Sequence, residues 1–255
     1  MASLLDKINR EAMDGDLKRA LRLCMQLGGE TGSEPLREWA SLELLGYQGQ
    51  EKLPDYRKVY APLQIDGFTG TGHVTKQTIS PLWLPDFAKE TITQEVLLVQ
   101  STPQLIELEH DARQEGAIRL MPPGADDLVT YMNHQSDNPY QQIERMYWTV
   151  TRSVLQGVIE NIRSRLVALV AEMNAGLEPG QKLPSAEVAS QAIEVAVHGD
   201  KNRVKVKQTG HRTTIAHGDQ KGWPRKTIEV SAWVAGIAIL VITVLLNWKT
   251  ITGWF

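Results

Sequence analysis

At 255 residues, with 42% hydrophobic and 22% charged side chains, the chain is long enough to bury a sizeable core as one large domain or two small ones. A mean hydropathy of -0.26 excludes a polytopic membrane protein, because several spans would lift that average well above zero. Net charge is -3, and a single cysteine, Cys24, excludes an intrachain disulfide, a cysteine-rich zinc site and a CxxC redox pair, which fits a reducing compartment.

The first residues place charges at Asp6, Lys7, Arg10 and Glu11, so they lack the unbroken apolar core of a signal peptide. Helical spacing then dominates: Leu4, Leu5, Ile8 and Ala12, next Leu17, Ala20, Leu21 and Cys24, and after Ser33 and Pro35 a third set of Leu36, Trp39, Ala40, Leu42 and Leu45. Three short helices are predicted. Beyond LPDYR at residues 53–57 the pattern changes to alternation and turns, with 59–65 and 73–79 reading as hairpin strands around the glycines of GFTGTG. That run is read as a plain turn, since no helix follows it to complete a phosphate loop.

Short helices are predicted at 85–89, at 92–98 and after Pro103, with a loop at Pro122, Pro123 and Gly124. Asp126 and Asp127 follow as first-turn charges complementing a helix dipole. Asn138 and Pro139 read as the start of a helix of about 35 residues, running to Glu172 with Ile143, Met146, Val150, Val154, Val158, Ile162, Leu166 and Val170 at helical spacing. A linker at 177–180 leads to a last helix over 185–197, opened by Ser185.

Residues 200–226 carry eight Lys/Arg against Asp200 and Asp219, net +6, while 227–255 are neutral, so residues 1–199 are net -9. Within the basic stretch HGD occurs twice and brackets a predicted hairpin, with Val204 and Val206 on one face and Arg203, Lys205 and Lys207 on the other. This ridge, with Arg212, suits lipid headgroups or nucleic-acid phosphates, or is simply a solvated face. Stacking aromatics are absent from 201–217, which counts against single-strand recognition by the hairpin alone.

Residues 230–248 (VSAWVAGIAILVITVLLNW) are nineteen uncharged positions. At about 1.5 Å per residue they make a helix of about 28 Å, enough for a hydrocarbon core of about 30 Å. Trp223, Trp233, Trp248 and Trp254 flank or enter the run, and the Lys/Arg excess before it predicts a cytosolic N-terminal domain. Glu229, Ala232, Gly236, Thr243 and Asn247 share one stripe of this span. Small and polar side chains on one stripe are what helices in lipid use to associate, so the stripe is either a packing seam or the lining of a pore in an oligomer.

No HExxH, GxxxxGK[ST] or GxSxG motif is present and no His/Cys cluster has metal spacing, so no catalytic residue, metal or cofactor is expected and an enzyme is unsupported. The six histidines read as scattered surface residues.

The run LLDKINREAMDGDLKRALRLCMQLGG, then LREWASLELLGY at 36–47, KLPDYRKV at 52–59, WLPDF at 83–87 and NIRSRLVALVAEM at 161–173 resembles the AbiTii domain of bacterial phage-defence proteins, over roughly residues 1–175. The resemblance implies abortive infection, in which death or arrest of the cell stops the phage, and it brings no catalytic residues. An apolar tail is a departure from the stand-alone domain. It is similar to the layout of membrane effectors such as that of the Hailong system, held inactive by a nucleotide polymer from a partner nucleotidyltransferase, which implies a nucleotide or single-stranded DNA ligand here.

The expected architecture is therefore α+β. A mostly helical cytosolic domain (1–176) with a small β element is followed by a linker and short helix (177–199), a basic hairpin and juxtamembrane segment (200–227) and one transmembrane helix (228–250). The expected function is that of a single-pass effector of the bacterial inner membrane, an oligomer of four or more subunits that opens a pore or disturbs the bilayer. The alternative is a non-catalytic, membrane-docked module that restrains or recruits a toxic partner, and a nuclease or hydrolase with an unrecognised site is a third reading.

Overall fold

The computed structural model describes residues 3–47, 53–136 and 138–199. Helix α1 (Leu4–Met13) starts in a capping box: the Ser3 hydroxyl accepts from the Asp6 N–H at 3.1 Å and the Asp6 carboxylate from the Ser3 N–H at 2.9 Å. In α2 (Leu17–Thr31) Asp16 accepts from the Lys18 N–H, and the helix stops at Gly32, whose φ of 74° suits glycine. Helix α3 (Glu34–Leu45) begins with Pro35 in its first turn. Most of the three predicted apolar stripes is buried, Leu5, Ile8 and Ala12, then Leu17, Ala20, Leu21 and Cys24, then Leu36, Trp39 and Ala40, whereas Leu4 and Leu42 are half-buried and Leu45, at the end of α3, is exposed. Where α2 crosses α3, a Cβ on Gly28 would lie 2.7 Å from the Arg37 nitrogen, so only glycine permits this approach.

Two antiparallel sheets follow. Strand β1 (Lys58–Tyr60) pairs with β4 (Glu95–Leu97), and β2 (Leu63–Thr69), β3 (Gly72–Thr78), β5 (Ala117–Leu120) and β6 (Gln142–Thr151) form a second sheet in the order β3-β2-β6-β5. Of GFTGTG, read as a turn, Gly70 and Thr71 make the turn between β2 and β3, while residues 67–69 and Gly72 belong to the strands themselves. The residues expected as one hairpin are divided, because 58–60 pair with β4 and only 63–69 with β3. The helix expected at 92–98 is a strand instead, and Trp148 donates to the Thr93 carbonyl just before it, at 2.7 Å.

The larger correction concerns residues 139–151. No helix starts at Asn138; its side chain accepts from the Tyr140 N–H at 3.0 Å in a local turn, and the chain then runs extended through β6. Helix α7 occupies Arg152–Ala175. The stretch MYWTVT is rich in aromatic and β-branched side chains, and as β6 it lies between β2 and β5, where both edges are hydrogen-bonded. From Val158 onward the predicted positions hold, with Val158, Ile162, Leu166 and Val170 buried beside Leu155 and Met173, while Val154 is not buried.

Helix α4 (Asp86–Lys89) is a single turn, α5 (Thr102–Glu115) has its own Ser101/Gln104 capping box, and α6 (Ala125–Gln135) carries Asp126 and Asp127 in its first turn, as read. Helix α8 (Ala186–Ile193), capped by Ser185, continues into a π-helical turn, Glu194–His198. It rests on α7, α2 and α3, with the Ser33 and Ser190 hydroxyls 2.9 Å apart. The fold is α+β, mostly helical with small sheets, and a single apolar core runs from Leu5 to Val197. Among the described residues no helix is long and apolar enough to cross a membrane; the predicted span at 228–250 and the predicted hairpin at 200–227 lie outside them.

Candidate functional site

The LPDYR block ends in a short helical turn, Asp55–Arg57, that delivers Arg57 into the core opposite Glu43 of α3. Both side chains are fully buried. Glu43 Oε1 accepts from the Tyr47 and Tyr56 hydroxyls at 2.7 Å each and from Arg57 Nε at 3.2 Å, while Oε2 accepts from Arg57 Nη2 and from the Thr102 hydroxyl. Arg57 Nη1 donates to the Leu98 and Gln100 carbonyls at 2.9 and 2.7 Å, and Trp39 Nε1 donates to the Tyr56 oxygen. Burial, then the neighbouring Glu43 carboxylate, pushes both tyrosine hydroxyls far above the usual range, so they stay protonated donors. Each charge is matched, as an ion pair in a dry interior requires. The cluster ties α3, the 53–57 turn, the strand-end residues 98–100 and α5 together: it is a fastener.

The RSRL block works the same way. Arg163 donates to the Ala12 and Gly15 carbonyls at the end of α1, and Arg165 donates to the Ala196 carbonyl at 2.6 Å while its guanidinium lies over the Tyr56 ring. Two further buried acids fasten the sheet and α5. Asp66 sits in a β-bulge of β2; burial alone would raise it, but the Tyr147 hydroxyl at 2.6 Å, the Lys76 N–H at 2.8 Å and Arg119 at 3.1 Å outweigh that and hold its carboxyl below the usual range. Glu109 is held low first by Arg152 at 2.8 Å, against burial, and then by Arg113. Burial pushes the Cys24 thiol up to about 12, which removes it as a nucleophile.

The accessible candidate lies at WLPDF. Leu84 and Ala88 are buried, whereas Leu82, Trp83 and Phe87 are 76%, 70% and 66% exposed. Phe87 meets Tyr131 of α6 edge-on, ring centroids 5.3 Å apart. Together with Ala88, Thr91, Ile92, Pro123, Gly124, Asp127 and Leu128 they line a groove of about 410 Å³ whose walls are mostly apolar. A second, polar hollow of about 400 Å³ is lined by Thr130, Asn133, His134, Ser136, Asn138, Pro139, Gln141 and Gln142. Two exposed rings, Phe87 and Tyr131, at one mostly apolar groove make it a candidate binding face, since single scattered apolar residues are the ordinary case. Nothing in it resembles a nucleophile–base pair.

Of the residues expected to act, the stripe (Glu229, Ala232, Gly236, Thr243, Asn247) and the basic ridge (Arg203, Lys205, Lys207, Arg212) lie outside the described residues. His73 pairs with Glu144 at 2.9 Å, and among the described residues no group of three or more His, Cys, Asp or Glu is placed to hold a metal ion. Sequence reasoning missed the groove. Phe87 stands in a run of large apolar side chains, Leu82 to Leu84 and Phe87, with no period that could bury them all, but nothing in the chain order brings Tyr131 to it. Residues 3–197 match the model of one family, AbiTii. No curated protein and no solved structure matches the chain.

Proposed function

From the premise that this chain belongs to the AbiTii family, whose part is phage defence by abortive infection, we propose that it is a membrane-anchored effector of that defence. The observation that carries the reading is the uncharged run 230–248, preceded by a segment of net charge +6. Positive charge on the near side and an apolar run that would span lipid as a helix support a cytosolic folded domain and a tail in the inner membrane. Four or more tails associate through the stripe of Glu229, Ala232, Gly236, Thr243 and Asn247, and release of this assembly opens a conducting path or disturbs the bilayer. A nucleotide or single-stranded DNA, the product of a partner nucleotidyltransferase, controls the assembly through the phosphate-seeking ridge of Arg203, Lys205, Lys207 and Arg212. The chain itself performs no catalysis and takes no cofactor in this scheme.

The test is inducible expression in bacteria with a membrane-potential dye, beside ion flux from liposomes holding the purified full chain. Depolarisation that disappears on deleting residues 228–255, and that Gly236→Leu or Thr243→Leu suppresses without loss from the membrane fraction, supports the scheme. Toxicity untouched by the deletion overturns it. A second reading, a docking module that restrains or recruits a toxic partner, is favoured by the exposed groove at Phe87 and Tyr131; a harmless chain that becomes toxic only with its partner selects it.

A further inference from the structure

The groove between α4 and α6 has a chemical signature beyond being apolar. Its floor is Ile92 and Leu128, its walls are the Phe87 and Tyr131 rings, and Asp127 is the one charged residue lining it. Asp86, Glu90 and Asp126, each exposed, are next in sequence to residues that line it. Lys89, next to the lining residue Ala88, is paired with Asp86 at 2.6 Å. Among the described residues no cation pairs with Glu90, Asp126 or Asp127. The α6 dipole accounts for Asp126 and Asp127. It accounts for neither Glu90 nor two aromatic rings held in water.

We propose that this groove binds a partner polypeptide through an apolar anchor flanked by lysine or arginine. Apolar side chains enter between Phe87 and Tyr131, where burial of aromatic surface supplies most of the affinity. Asp127 and the exposed carboxylates beside it in sequence then select cationic neighbours and speed their encounter. The same charge disfavours the other candidates. Anionic headgroups and nucleic-acid phosphates are repelled by Asp127, Asp126 and Glu90, which pair with no cation among the described residues. The inference does not depend on the tail, and its test reads binding, not conduction.

The full chain in phosphatidylcholine nanodiscs is titrated by fluorescence anisotropy with three labelled fourteen-residue peptides, empty nanodiscs serving as the blank. The first carries Leu and Phe at i, i+3, i+4 and i+7 with Lys elsewhere, the second replaces Lys by Glu, and the third keeps Lys but replaces Leu and Phe by Ser. Expected is at least tenfold tighter binding of the first peptide than of either other. Phe87→Ala and Tyr131→Ala each weaken it about tenfold; both positions are exposed enough for the fold to survive, which circular dichroism verifies. Asp127→Lys weakens the Lys peptide and strengthens the Glu peptide, a reversal that a general loss of structure cannot produce. Equal affinity for the Lys and Glu peptides, or indifference to Phe87→Ala, overturns the proposal. So does a groove variant that halves the particle mass, which assigns the face to a second copy of this chain, or one that changes only binding to lipid vesicles.

Discussion

Replacing Glu43 by alanine tests whether the buried cluster is a fastener. The substitution removes the acceptor of five donated hydrogen bonds, from Tyr47, Tyr56, Thr102 and two nitrogens of Arg57. Arg57 keeps the Leu98 and Gln100 carbonyls on Nη1 and the Thr102 oxygen on Nη2, but its charge stays in the core with no counter-ion. Breaking a buried pair by removing one partner costs about 3–5 kcal/mol, of which the stranded charge is the larger part. That is a large share of the roughly 5–15 kcal/mol by which a domain is stable. At about 2–4 °C per kcal/mol for a domain near 200 residues, the midpoint falls by about 6–20 °C. The assay is thermal unfolding of the full chain in mild detergent, followed by tryptophan fluorescence, since Trp39 belongs to the cluster. The decisive comparison is a double-mutant cycle with Arg57→Met. Removing both charges relieves the stranded one, so the double variant is more stable than the sum of the singles implies, by about 2 kcal/mol or more. A shift below about 3 °C for Glu43→Ala, or strictly additive losses, refutes this account of the cluster.

Two adjacent glycines in α2 are expected to respond with opposite signs. Gly28→Ala forces a Cβ against the Arg37 backbone and costs about 1–3 kcal/mol even after its gain in helix propensity, whereas Gly29→Ala, with nothing within 4 Å, stabilises by about 0.5–1 kcal/mol; denaturant midpoints compare them. Acid sensitivity follows from Asp66 and Glu109. Both are depressed in the folded protein, Asp66 by Tyr147, Lys76 and Arg119 against its burial and Glu109 chiefly by Arg152, so their contribution is complete above the unfolded pKa values of about 3.9 and 4.3 and is lost as pH falls through the lower folded ones. Asp66→Asn and Glu109→Gln therefore lower the unfolding midpoint at pH 7 and converge on the parent protein near pH 2; an undiminished gap at low pH contradicts the assignment.

Helices α1 to α3, α5 and α8 were legible in the amino-acid order because caps and apolar stripes are local information. Ser3 with Asp6, Asp16, Ser101 with Gln104, and Ser185 each satisfy backbone groups within three residues, and the buried faces recur every three or four. The uncharged length of 230–248 and the charge before it are likewise properties of composition alone. Residues 142–151 were not legible, since Ile143, Met146 and Val150 satisfy a helical period while Met146, Trp148 and Val150 alternate as in a strand. Pairing with β2, some eighty positions earlier, and with β5 decided between them. The site divides along the same line. The prominence of LPDYR, RSRL and WLPDF could be read from the chain, but not that the first two are spent on distant carbonyls and carboxylates while the third is left facing water. Only the fold sets Arg57 against Glu43, or Phe87 against Tyr131, because contact between residues far apart in sequence depends on how every element between them packs.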